Sequence, residues 1–119
     1  MRERLFRGKR VDNGEWVTSN SIMQTNYSGT FLWYEGCWRE VISETIGQYT
    51  RLTDKNGKKI FEGDFIRSDS ERGYIEYYPN DCAFEVVDEH GFYWLISEMS
   101  NIEVIGNIHD NPELLEDKK

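Results

Sequence analysis

Glu62, Asp64, Asp69 and Glu76 are the residues best suited by type and spacing to do chemistry, because clustered carboxylates supply hard oxygen ligands to magnesium for phosphodiester cleavage. Gly63 argues against that use. It marks a turn in which Asp64 would accept hydrogen bonds from backbone amides. Asp54-Lys55-Asn56-Gly57 opens like a calcium loop, but it lacks the third oxygen ligand before the glycine and the closing glutamate, so a hairpin turn is expected there. Cys37, Cys82, His90 and His109 are the soft ligands, and their separations match no common zinc spacing. A nucleophilic pair of Cys82 and His90 would require an orienting third group, and Cys82 reads instead as a small apolar residue opening a strand. The chain has no nucleophile elbow, phosphate-binding glycine loop or zinc-protease helix. The expectation is a protein that is not an enzyme and takes no cofactor or metal.

Charge gives two binding readings. The 119 residues hold 14 Lys/Arg against 22 Asp/Glu, a net charge of −8. Residues 1–60 carry +3 and residues 61–119 carry −11. Arg2, Arg4, Arg7, Lys9 and Arg10, interleaved with Phe6 and near Trp16, form the concentrated basic stretch that would suit phosphate attraction and base stacking. Strand alternation puts Arg2, Arg4 and Arg10 on one face and Arg7 and Lys9 on the other. The overall negative field also opposes nucleic acid. Conversely, Asp64, Asp69, Glu71, Glu76, Asp81, Glu85, Asp88 and Glu89 would imitate a phosphate row toward a DNA-binding protein if they lined one side of a fold. Only two cysteines and no apolar run near the ~20 residues of a membrane span point to a soluble protein with reduced thiols, expected in the cytoplasm of a bacterial cell.

Positioning falls to short strands. Asn13-Gly14 separates residues 5–11 from Glu15-Trp16-Val17-Thr18, and Asn56-Gly57 separates residues 49–52 from Lys59-Ile60-Phe61. Strands then follow at Phe65–Arg67, Tyr74–Tyr78, Cys82–Val87 and Phe92–Ile96, with a helical turn near 97–101 and a closing strand from Ile102 to Ile108. This order predicts a mainly β protein with little helix: an N-terminal β-hairpin region over residues 1–48, a small SH3-like barrel over 49–110 and a tail over 111–119. A further hairpin across residues 26–29 joins Ile22-Met23-Gln24 to Phe31–Tyr34. Phe31 and Trp33 fall on one face, Leu32 and Tyr34 on the other. If the hairpin projects, Phe31, Trp33, Tyr34 and nearby Trp38 are the expected subunit interface.

Read in order, Arg7-Gly8-Lys9-Arg10, Asp12-Asn13-Gly14-Glu15-Trp16-Val17, Ile46-Gly47-Gln48-Tyr49-Thr50, Asp54-Lys55-Asn56-Gly57-Lys58, Ile60-Phe61-Glu62-Gly63-Asp64 and Ile105-Gly106-Asn107-Ile108 resemble the YopX-like family of phage and prophage proteins. The resemblance covers nearly the whole chain, with the stretch from Ser19 to Val41 matching poorly. Arg51 stands where the family more often has glycine, so a turn that uses positive φ at that glycine is expected to differ here. The resemblance implies a small accessory protein of a temperate phage or prophage and assigns no catalytic residue. The resulting expectation is action through protein contacts, by self-association above all. A nucleic-acid module on the basic strand and an acidic DNA mimic are the alternatives.

Overall fold

Apolar and polar residues alternate along this chain and are interrupted every few positions by Gly, Asn or Asp, a pattern that favours short strands and tight turns. The computed structural model, which describes residues 4–69, 71–79, 83–96 and 99–115, is mainly β. It has two compact units, Met1–Arg51 and Leu52–Lys119. With the division there, Lys55, Lys58 and Lys59 belong to the acidic unit, and the basic excess of the first unit shrinks to seven Lys/Arg against six Asp/Glu.

In the first unit, β1 (Phe6–Lys9) pairs antiparallel with β2 (Trp16–Ser19). The strands β3 (Ile22–Thr25), β4 (Gly29–Tyr34) and β5 (Cys37–Val41) form a separate three-stranded meander. After a 3₁₀ turn at Ser43–Thr45, β6 (Gly47–Thr53) begins by pairing with β1. Val17, Leu32 and Val41 are the buried centre, packed by Phe6, Ile22, Tyr34 and Ile46. Burying a leucine as completely as Leu32 stabilises the unit by about 2–3 kcal/mol.

The two Asn-Gly turns are real, and neither has positive φ at both residues. Only the glycines adopt it, Gly14 at 73° and Gly57 at 82°. The first loop closes through Arg10 N to Glu15 O at 2.9 Å, so four residues intervene, and Asn13 Oδ1 accepts from Glu15 N at 2.9 Å. The second closes through Asp54 N to Lys58 O at 2.7 Å. Arg51 corrects another expectation: its φ is 72°, so the positive-φ conformation is kept without glycine.

In the second unit, β7 (Lys59–Phe61) precedes a meander of β8 (Asp64–Arg67), β9 (Arg72–Tyr78), β10 (Ala83–Asp88) and β11 (Tyr93–Leu95). The last strand, β12 (Glu103–Asn107), returns beside β8, giving the sheet order β11-β10-β9-β8-β12. The barrel expected over residues 49–110 is therefore not closed; among the described residues β11 and β12 are edges. Closure needs the two edges to pair, but β11 is only three residues long, and the irregularity between Val104 and Gly106 bends β12 along β8. Ile66, Ile75 and Val86 pack from one sheet face against Ile60 and Ile96. On the other face Leu114, in a 3₁₀ turn at Pro112–Leu115, lines a small cleft with Phe65, Tyr74, Val87 and Ile105.

Several sequence expectations fall outside the described residues: Arg2, the Asn80-Asp81 turn with Cys82, Ser70, Ser97-Glu98 and residues 116–119.

Candidate functional site

The outward face of the β3-β4-β5 meander is built by its turn. Tyr34 pairs with Cys37 across a two-residue loop, and Glu35 and Gly36 have φ of 50° and 88°, the twist that joins antiparallel strands most tightly. Arg39 holds the loop by donating from Nε to Tyr34 O at 3.1 Å and from Nη2 to Glu35 O at 3.3 Å. This register sets Trp33 directly opposite Trp38 and Phe31 between Met23 and Glu40. The two indoles meet edge to face, with centroids 5.3 Å apart and planes at 80°. Trp33 remains 45% and Trp38 40% exposed.

Three of the four residues expected at an interface, Phe31, Trp33 and Trp38, thus share one face. Tyr34 does not: alternation turns it inward against Val17, Leu32 and Val41. Met23 joins the outward face, and sequence reasoning missed both it and β5 as a strand. The signal available was Glu35-Gly36 between Tyr34 and Cys37, a two-residue loop with glycine second.

The basic strand is divided as alternation predicts. Arg7 and Lys9 share a face with Trp16 and lie over its ring, 4.7 and 5.8 Å from the centroid. Arg10 is engaged elsewhere, donating to Asp12 from Nε at 2.9 Å and Nη2 at 2.7 Å. The pairing raises the Arg10 pKa and lowers that of Asp12. Arg4 is exposed. Arg4, Arg7, Lys9 and Arg10 do not form one cationic face.

The carboxylates organise turns. Asp54 Oδ1 accepts from Asn56 N and Lys58 N, both at 2.9 Å, and Oδ2 from Val104 N at 3.0 Å. Asp64 accepts from Phe61 N at 2.8 Å, the backbone role expected beside Gly63. Asp88 Oδ1 accepts from His90 N at 2.8 Å and Phe92 N at 2.9 Å, and Oδ2 accepts from Trp94 Nε1 at 2.8 Å. Burial pushes the Asp54 and Asp88 carboxyls up, but their N–H donors outweigh it and leave both below the ordinary range. Both carboxylate oxygens of Asp69 accept from Asn101 Nδ2 at 3.0 Å, and Glu76 accepts from the Tyr78 hydroxyl at 3.1 Å.

No three His, Cys, Asp or Glu side chains converge among the described residues. Cys37 is exposed at the start of β5, His90 is exposed in the β10-β11 turn and His109 is half-buried after β12. The proposed phosphate-like row is also interrupted, because Asp64, Glu85 and Asp88 are buried.

A family model described as YopX protein matches residues 5–116, nearly the full length of the chain. The chain belongs to the YopX family. The crystal structure of protein EF1440 from Enterococcus faecalis is similar in fold to this YopX-family chain, with a TM-score of 0.51 and 22% identity over 95% of this chain and 98% of that one. No curated protein matches the sequence. Several motifs that carry the YopX resemblance sit at bends: Asp12-Asn13-Gly14, Asp54 to Lys58 and Glu62-Gly63-Asp64. The tryptophan pair lies in the stretch that resembled the family least.

Proposed function

We propose that this YopX-family protein is a non-enzymatic accessory protein of a phage or prophage, acting in the bacterial cytoplasm through protein contacts. Its first contact is with a second copy of itself, through the outward face of the β3-β4-β5 meander. The observation that carries this reading is the edge-to-face Trp33–Trp38 pair, left 45% and 40% exposed on a face that Phe31 and Met23 extend. Aromatic clusters of this kind contribute strongly to interfaces once water is excluded. The meander favours self-pairing because Glu40 is the one charged side chain among Met23, Thr25, Phe31, Trp33, Trp38 and Glu40 on this face, so two copies meet with little like-charge repulsion.

We also read the second unit as an opened relative of the SH3-like barrel. Its four-strand meander and the return of the last strand beside β8 support that reading. So does the hydrogen bond that Met99 N donates to Ile96 O at 3.2 Å ahead of β12.

Light scattering of wild type and Trp33→Asp tests the self-association. The expected result is a wild-type mass of at least two chains that falls to one in the variant, with unchanged circular dichroism. A monomeric wild type whose mass is the same as that of Trp33→Asp sinks the proposal.

A further inference from the structure

Asn13-Gly14 and Asn56-Gly57 carry a chemistry that their turns do not use. The backbone nitrogen that follows an asparagine can attack the side-chain carbonyl carbon, and a glycine there has no side chain to obstruct the approach. Both pairs are exposed, and both glycines have open space where a Cβ would stand. One turn bond holds each attacking nitrogen, Gly14 N to Arg10 O at 3.0 Å and Gly57 N to Asp54 O at 2.9 Å. The two nitrogens are therefore similarly restrained.

The carboxamides and the neighbouring charges separate the two pairs. Asn13 Oδ1 accepts from Glu15 N at 2.9 Å, so a bond must break before its Cγ can turn onto Gly14 N. The Asn56 side chain makes no hydrogen bond among the described residues. Attack also builds an anion, and Lys55 and Lys58 flank Asn56-Gly57 where Asp12 and Glu15 flank the other pair. Asp12 is bound by Arg10, and Lys55 lies 3.9 Å from Glu103, but Lys58 and Glu15 still leave fields of opposite sign at the two places.

We propose that Asn56 is a self-modification site whose conversion to isoaspartate unfastens the loop from β12. Gly57 N bonds to Asn56 Cγ, the Cγ–Nδ2 bond breaks, and the side-chain nitrogen leaves as ammonia with the proton that Gly57 N gives up. Water then opens the succinimide. Cleavage between Cγ and nitrogen leaves aspartate, whereas cleavage between the main-chain carbonyl carbon and nitrogen leaves isoaspartate, with the backbone rerouted through the side chain. The product lies inside the clasp made by Asp54, whose Oδ1 accepts from Asn56 N and Lys58 N at 2.9 Å and whose Oδ2 accepts from Val104 N at 3.0 Å. Isoaspartate adds a backbone carbon between the N–H groups of residues 56 and 58, so one oxygen no longer reaches both. The carboxylate shifts, and its bond to Val104 in β12 goes with it.

The test ages the full chain at mildly alkaline pH in heavy-oxygen water and maps its peptides by mass spectrometry. Conversion with uptake of the heavy oxygen is expected at residue 56, roughly tenfold faster than at residue 13, the factor that one ordinary hydrogen bond is worth. In the purified isoaspartate form, amide exchange at Lys58 and Val104 is expected to quicken by roughly tenfold or more. Asn56→Gln, whose longer side chain would have to close a larger ring, is expected to keep its mass and its slow exchange through the same ageing. Conversion at Asn13 as fast as at Asn56 overturns the proposal. So does an Asn56 still intact when the same chain unfolded in guanidinium has converted fully. Unchanged exchange at Lys58 and Val104 in the isoaspartate form overturns it as well, as does equal loosening of aged Asn56→Gln.

Discussion

Asp88→Asn removes a charge without changing shape, at a carboxylate that is only 1% exposed and accepts from His90 N, Phe92 N and Trp94 Nε1. The asparagine oxygen can keep the two backbone bonds, but its amide nitrogen then faces the Trp94 N–H, donor against donor. One charge-assisted bond is lost, at about 1.5–3 kcal/mol, and a buried donor is left unsatisfied, at about 1–3 kcal/mol. Partial relaxation brings the expected loss to about 3 kcal/mol, a large share of the roughly 5–15 kcal/mol that holds a domain folded. Urea unfolding followed by circular dichroism and tryptophan fluorescence measures it. Trp94→Phe removes the opposing donor, so the double variant is expected to recover about 1 kcal/mol relative to additivity. The donors hold the Asp88 carboxyl below its ordinary value in spite of burial, so its contribution is complete above the unfolded value near pH 4. It is lost as pH falls through the lower folded value, and in that window wild type and Asp88→Asn converge. A loss under about 1 kcal/mol at unchanged denaturant slope would refute the reasoning, because a buried carboxylate with three such donors cannot be so cheaply neutralised.

Arg51→Gly relieves a side chain held at φ 72° and is expected to stabilise the protein by about 0.5–1 kcal/mol after the entropy cost of glycine, read as a raised midpoint in urea. Glu35→Asn, at φ 50° in the β4-β5 loop, suits the same conformation better and is expected to gain about 0.5 kcal/mol in the same measurement without altering oligomer mass. Gly73→Ala places a methyl group against the Val87 carbonyl and the Asp88 backbone, which cannot move without breaking the β9-β10 ladder. It is expected to cost about 3 kcal/mol, with thermal unfolding by circular dichroism as the check.

Much of the second unit was legible because its turns carry residues that punctuate strongly: Glu62-Gly63-Asp64, Asn56-Gly57 and Asp88 to Gly91 each end one strand and begin another. The strand β5 was not legible. Cys37-Trp38-Arg39-Glu40-Val41 places Arg39 on its inward face, where the guanidinium serves the turn carbonyls, so apolar alternation fails there. Sheet closure was equally hidden, since whether edges meet depends on strand length and bending over the whole sheet, not on local pattern. Alternation separates Phe31 and Trp33 from Leu32 and Tyr34, but which of the two faces packs inward is shown only by the contacts, which bury Leu32 with Tyr34 against it and leave Trp33 and Trp38 exposed. Gly63 made the backbone role of Asp64 legible, whereas Asp54 and Asp88 look like ordinary turn acids in the sequence, and only their burial and N–H donors reveal them as structural fasteners.

Two indoles at 5.3 Å with planes at 80° are close and skewed enough for their electronic transitions to couple. Such a pair produces an exciton couplet in circular dichroism, two bands of opposite sign that neither chromophore gives alone. Replacing either Trp33 or Trp38 abolishes both bands, while changes elsewhere that preserve the β4-β5 register leave them in place. The same pair proposed to join two copies therefore reports optically whether its own hairpin is in register, before any partner is added.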